Sequence, residues 1–218
     1  MTPLPWRGRA KRRAADRRRA RREVAGHFGG RLLKGKRDTA DVVVVEHGPW
    51  TLRLDTYVVS TGYTTVMYTR VRCLAGSRYA IELVVRPRGL FDRLVEALGF
   101  RSLPGGDRDF RARYVATGKP RPVLRTVLAS DLPAAFRDHD ALRLDVKKAT
   151  RKERRDLGAD AVAVNVQMLG LLSDLRAMVR LFEVGIAAVE ELERAGVLTP
   201  LEVPPRLSRP SAPGLDPG

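Results

Sequence analysis

The chain has 218 residues, 44% hydrophobic and 30% charged, enough for one domain with a sizeable core plus tails. A single cysteine excludes an internal disulfide framework and a multi-cysteine zinc site and fits a reducing cytoplasm, and no run of about 18 apolar residues offers a spanning helix. The net charge of +16 is unevenly placed: Met1–Asp38 holds fourteen Lys and Arg against three acids, a net of +11, and the other 180 residues hold 27 against 22, a net of +5.

The polycation comes first in the chain. Lys11–Arg22 (KRRAADRRRARR) carries eight positive charges and one negative, Asp16. Arg outnumbers Lys 34 to 7, the usage of a GC-rich bacterial genome. Codon bias exchanges Lys for Arg but creates no net charge. No apolar segment follows the basic run, which argues against a Sec or twin-arginine signal. Ala and Arg favour helix over Arg7–Ala25. On a wheel of about 100° per residue the charges fall on every side, and Ala14, Ala15, Ala20 and Val24 do not gather into a stripe. A helix polar all round is solvated or disordered rather than packed on a core. The expectation is therefore a basic arm, residues 1–30, helical or disordered. It joins the body at Gly29-Gly30, and Leu32 and Leu33 make its first contacts.

The period then changes to two. Asp41–His47 (DVVVVEH) reads as a buried strand, and Gly48-Pro49 as a turn. Trp50–Val59 alternates, with Leu52, Leu54, Thr56 and Val58 on one face and Arg53 and Asp55 on the other. Tyr63–Leu74 is rich in Thr, Tyr and Val, and Ala75-Gly76-Ser77 turns the chain. Arg78–Arg86 alternates again, with Ile81, Leu83 and Val85 inward. Four strands joined by short turns predict an antiparallel meander. Gly89–Leu98 switches to helical spacing. Phe110, Ala112, Tyr114 and Ala116 alternate with Arg111 and Arg113, which predicts a fifth strand. Val123–Ala129 and Leu132–Asp138 read as short helices with Ser130 or Asp131 as a cap. Ala141–Val146 and Ala161–Met168 read as strands, with Lys147–Asp156 a basic connection between them. Leu171–Ala195 is a long amphipathic helix stopped by Gly196. The last segment, 197–218, has six prolines and reads as a disordered tail. The fold class is a single α+β domain, residues 31–196: a mainly antiparallel sheet packed by helices, the longest of them C-terminal.

The segment GGDRDFRARYVATG, Gly105–Gly118, followed by VLRTVLASDLPAAF, resembles a pattern in bacterial α+β domains of unknown function, over about a third of the chain. Arg111 departs from it, standing where the pattern has Asp. The resemblance implies structural roles for Asp107, Phe110 and Tyr114 and supplies no catalytic residues.

Chemistry-bearing residues are sparse. Asp138-His139-Asp140 is adjacent in sequence, so its side chains diverge rather than converge as metal ligands must. Cys73 sits in a Thr/Val strand, the setting of a small buried hydrophobe. Ser60 lacks the strand-to-helix turn of a nucleophile elbow. Asp107 and Asp109 flank Arg108 in a loop before a strand, where Asp107 is expected to accept a backbone hydrogen bond. No P-loop or dinucleotide fingerprint occurs, and no RNP strand or zinc finger. The balance leans against an enzyme and implies no cofactor and no metal. Arg70 and Arg72 share a sheet face with Tyr68 and Arg53, an arrangement able to contact a phosphate backbone or stack on a base. The net charge points to an acidic partner. The expected function is sequence-tolerant polyanion binding, nucleic acid favoured, by Lys11, Arg12, Arg13, Arg17, Arg18, Arg19, Arg21 and Arg22. The alternatives are an anionic membrane surface, with Trp6 as anchor but no apolar stripe to insert, and a protein partner or self-assembly through the long helix.

Overall fold

The computed structural model describes residues 5–35, 41–60, 62–89, 92, 102–137, 139 and 141–201, with side chains from Arg12 onward. In chain order the elements are α1 (Pro5–His27), β1 (Arg31–Leu33), β2 (Val42–His47), β3 (Trp50–Ser60), β4 (Thr65–Ser77), β5 (Glu82–Pro87), α2 (Arg108–Arg113), β6 (Tyr114–Lys119) and α3 (Arg121–Ala129). A 3₁₀ turn (Leu132–Phe136) then leads to β7 (Arg143–Lys148), α4 (Arg151–Leu157), β8 (Ala161–Leu169), α5 (Leu175–Arg194) and β9 (Leu198–Thr199). The expected helix Gly89–Leu98 lies outside the described residues except for Gly89 and Asp92.

The nine strands among the described residues join one antiparallel sheet in the order β1-β2-β3-β4-β8-β7-β5-β6, with β9 pairing the end of β4. The four N-terminal strands β1–β4 form the meander, and helices including the long C-terminal α5 pack the sheet into one α+β domain. One member of the expected meander is corrected. The Arg78–Arg86 run, now β5, pairs with β6 and β7 rather than with β4. The edge of β4 is taken by β8 through nine residue pairs, from Tyr68↔Leu169 to Gly76↔Ala161. Seven residues of β8, Ala161–Gln167, are buried on both faces, so this strand needs a central place. The expected turn Ala75-Gly76-Ser77 is strand, and Ser77 N donates to Asp160 O (3.1 Å), tying the exit of β4 to the start of β8.

Two further expectations change. Arg108–Arg113 is a helical turn, not strand, because Asp107 caps it by accepting from Phe110 N at 2.7 Å. Phe110 and Tyr114 then stack at i,i+4, with ring centroids 5.5 Å apart. Every second alternating position is also a fourth, so this pattern fits helix and strand alike. Lys147–Asp156 contains the end of β7 and all of α4 but its last residue, the helix being started by a capping box in which Thr150 and Glu153 bond each other's backbone N–H.

The core lies between one face of the sheet and α1, α3, α5 and the 3₁₀ turn. From the sheet come Leu52, Leu54, Val71, Val164, Leu144 and Leu83, and from α5 Met178, Leu181, Phe182, Val189 and Leu192, all at most 2% exposed. Burying each such side chain contributes roughly 1.5–3 kcal/mol. Gly185 lets α5 approach β4: a Cβ there would stand 2.8 Å from Val71 Cγ1. The core also extends past both expected limits. Val197 and Leu198 are buried, and β9 pairs with β4, so these residues belong to the body rather than to a tail. At the other end α1 docks through Ala20, Val24 and Ala25, all at most 5% exposed, well before Leu32. No described helix is long and apolar enough to cross a membrane.

Candidate functional site

The cationic helix is the first candidate. Its last two turns are fixed by the buried Ala20–Val24–Ala25 stripe, by Gly30 N donating to Ala25 O at 2.7 Å, and by Phe28 packing on Phe182 at 5.1 Å. The eight expected binding residues then divide. Arg12, Arg13, Arg18, Arg19 and Arg22 are exposed and Arg17 is half-buried. Lys11 is on the helix, with its side chain outside the described residues. Arg18 Nε reaches Asp41 at 2.8 Å, and Arg19 Nε reaches Glu23 at 2.8 Å, which holds the Arg19 guanidinium above its usual range. Arg21 is 2% exposed and donates to the carbonyl of Asp41. Burial pushes its pKa down, against the pull of Asp41 and Asp55. Arg21 therefore works as an anchor and leaves the accessible set. Arg12, Arg13, Arg17 and Arg22 have no ion pair among the described residues.

The second candidate is the sheet face turned away from the core. Cross-strand register lines up Arg53 with Arg72, Asp55 with Arg70 and Tyr57 with Tyr68. Next to them β8 contributes Asn165 and Gln167, and β7 contributes Asp145 and Arg143. Most of these groups hold one another, although Arg72 Nε and Asn165 Oδ1 are buried without a hydrogen-bond partner among the described residues. Arg70 grips Asp55 with two hydrogen bonds, 2.7 and 3.0 Å, and lies 4.5 Å over the Tyr57 ring. Tyr57 stacks on Tyr68 at 5.3 Å and donates to Gln167 Oε1 at 2.5 Å. Gln167 Nε2 donates to Asp145 at 3.1 Å, and Arg143 forks the same carboxylate at 2.9 Å. Arg72 pairs with Glu153 of α4 at 2.7 Å. Desolvation is the largest influence on Glu153 and raises its pKa, but Arg72 and Thr150 together outweigh it and leave the carboxyl below its ordinary value. A phosphate arriving at Arg70 or Arg72 would have to compete with Asp55 or Glu153.

The remaining chemistry-bearing residues do not converge. His27 sits edge-on to Phe28 at 4.8 Å. Nε2 of His47 lies 2.7 Å from Glu190, and Trp50 Nε1 donates to Glu193 at 3.0 Å, so the β2–β3 turn is tied to the end of α5. His139 N donates to Phe136 O at 3.2 Å, and its carbonyl accepts from Tyr114. Asp138 and Asp140 lie outside the described residues. Cys73 is buried, and burial pushes its thiol up to about 12, which keeps it from ionising. Ser60 ends β3 at the surface. Asp107 is held below its usual range by Phe110 N and pairs with Arg137 at 3.1 Å. A cavity of about 220 Å³ beside His139, Met168, Arg180 and Leu181 adds an imidazole and a guanidinium but no nucleophile. No group of three or more His, Cys, Asp or Glu among the described residues is placed to hold a metal.

One feature is invisible to strand periodicity. Six of the seven large exposed hydrophobic side chains among the described residues gather at one end of the sheet: Val58, Val59, Tyr63, Met67, Leu169 and Leu171. Three come from β3 and β4, two lie at or just after the end of β8, and Tyr63 is in the β3–β4 turn. No family model, no curated protein and no solved structure matches this chain.

Proposed function

We propose that this protein binds a polyanion without reading sequence, through the exposed arginines of α1. The observation that carries the reading is the combination of charge and anchorage. Arg12, Arg13, Arg17 and Arg22 have no ion pair among the described residues, and they stand on a helix whose last turns are buried in the core. A cation held on a docked helix loses less entropy on meeting an anion than one on a free tail. Each contact with a phosphate-type anion releases counterions, so four engaged arginines give a log–log salt slope of about −3.5. The networked arginines of the sheet face do not add to this, which removes the base-stacking support for a nucleic-acid partner.

The test is retention on heparin and mobility shift of a duplex across a salt series. Wild type is compared with the variant carrying Arg12→Gln, Arg13→Gln, Arg17→Gln and Arg22→Gln. Loss of retention at lower salt by the variant is expected. Identical elution of both would end the proposal. Deleting residues 1–30 is the wrong instrument, because it removes Ala20, Val24, Ala25 and Phe28 from the core.

A further inference from the structure

We infer that the β3–β4 hairpin is the apolar half of a bilayer-docking surface whose cationic half is α1, so that the polyanion is an anionic lipid surface; this rests on the α1 reading above. The hairpin outruns its neighbours. β8 is in register with β4 only as far as Leu169, opposite Tyr68, and β2 with β3 only as far as Val43, opposite Leu54. The pairs Val58↔Met67, Val59↔Val66 and Ser60↔Thr65 therefore lie beyond the last residue pair of either neighbouring strand among the described residues, with Met67 O still accepting from Gly170 N at 2.7 Å. No charged residue occurs between Asp55 and Arg70, or between Gln167 and Asp174, in a chain that is 30% charged. Tyr63 at the turn is fully exposed and Leu169 is 66% exposed. A protruding uncharged ribbon is a liability in water unless something covers it.

Charge placement selects the occupant. Gly30 lies against Val44, and Arg18 and Arg21 reach Asp41. From its C-terminus back to its N-terminus, α1 thus runs in the direction in which β3 approaches the hairpin. Arg13, exposed, and Arg17, half-buried, continue the docked stripe Ala20–Val24 at i, i+4, i+7 and i+11 on one helix face. Exposed Lys34 follows β1 at the same end, and exposed Arg176 and Arg180 occupy the first turns of α5 just after Leu171. Asp174 is engaged as the cap of α5. Three residue pairs reach about 10 Å, the depth of interfacial insertion, which is roughly 5–10 Å. The ribbon edges beyond Met67 and the Ser and Thr hydroxyls need the hydrated headgroup layer rather than the hydrocarbon centre. A nucleic-acid groove would set these uncharged residues against phosphates with no Lys or Arg in the ribbon to meet them.

The test is cosedimentation of the full-length protein with phosphatidylcholine vesicles, with or without phosphatidylserine, alongside heparin retention and duplex mobility shift. Wild type is expected to sediment with the phosphatidylserine vesicles alone. Tyr63→Asp with Met67→Asp, both at exposed positions, should weaken vesicle binding by about tenfold or more and leave heparin retention unchanged. The four-arginine variant should lose both, with vesicle binding falling about fivefold per arginine. Vesicle binding untouched by the hairpin changes would overturn the inference and leave the α1 reading standing. So would duplex binding without vesicle binding, or a dimer dispersed by Tyr63→Asp that ignores vesicles. Failure of wild type to bind heparin, duplex and vesicles alike would overturn both.

Discussion

Arg21 and Arg22 are neighbours of equal charge with opposite fates. Arg22 faces solvent, while Arg21 is enclosed beside the Asp41 carbonyl. The sequence shows the charge of each but not its side of the helix, because over the whole of Arg7–Ala25 the charges surround the axis. Taken over Arg18–Ala25 alone, Ala20, Val24 and Ala25 lie on one side with Arg21. Val24 is the sharpest probe of that docking. Val24→Ala should lower stability by about 1.5–2.5 kcal/mol in denaturant unfolding, with α1 amides exchanging faster, whereas a wholly solvated helix would show no change. A second residue-scale prediction concerns acid. Arg86 chelates Asp92 with contacts of 2.8 and 2.5 Å and Gly89 N adds another at 2.5 Å, which holds the Asp92 carboxyl down to about 2 from its usual 3.8. A depressed carboxylate stabilises the fold above its unfolded pKa, and that contribution disappears as pH falls from about 4 to 2. Asp92→Asn should therefore cost about 1–2 kcal/mol near pH 6, discounted for the partly exposed Arg86, and nearly nothing at pH 2. Equal cost at both pH values would remove the ion pair as the cause.

Among elements, those defined by their own period were legible. β2, β3, β8 and α5 follow from runs of Val, alternation and a 3.6-residue stripe. The capping box of α4 was present as Thr150-x-x-Glu153 but hidden in a basic stretch read as a connection. The position of β5 was not legible, because alternation reports which face is buried and not which strand pairs with it. The hairpin was not legible for a similar reason: its protrusion depends on β3 and β4 being longer than the strands beside them. Gly185 tests how tightly two such elements meet. Gly185→Ala gains up to about 1 kcal/mol in helix propensity, yet its methyl would meet Val71 at 2.8 Å. Overpacking of that kind costs about 1–3 kcal/mol. The thermal midpoint should fall, and a rise would mean that α5 can shift away from β4 without loss.

For the whole molecule, the excess charge lies on α1 and most of the large exposed apolar side chains among the described residues lie at one end of the sheet. The sequence located the excess charge in its first 38 residues, and the fold docks the end of the helix that carries most of it into the core. The polar face of the sheet shows why counting arginines misleads. Arg70, Arg72, Arg86 and Arg143 each hold a carboxylate, so they shape the fold and contribute little outward field. The candidate nucleic-acid face of the sequence was legible as a row of residues, but besides Asp55 on β3 it is held by Glu153 of α4 and Gln167 of β8, more than seventy residues away in the chain. The most direct test of the account is the salt dependence of polyanion binding by the full chain, with and without Arg12, Arg13, Arg17 and Arg22. The account predicts a log–log slope of about −3.5 for wild type, flattened to near zero by the four Gln substitutions with the unfolding midpoint unchanged. A slope that is the same in both proteins would contradict it.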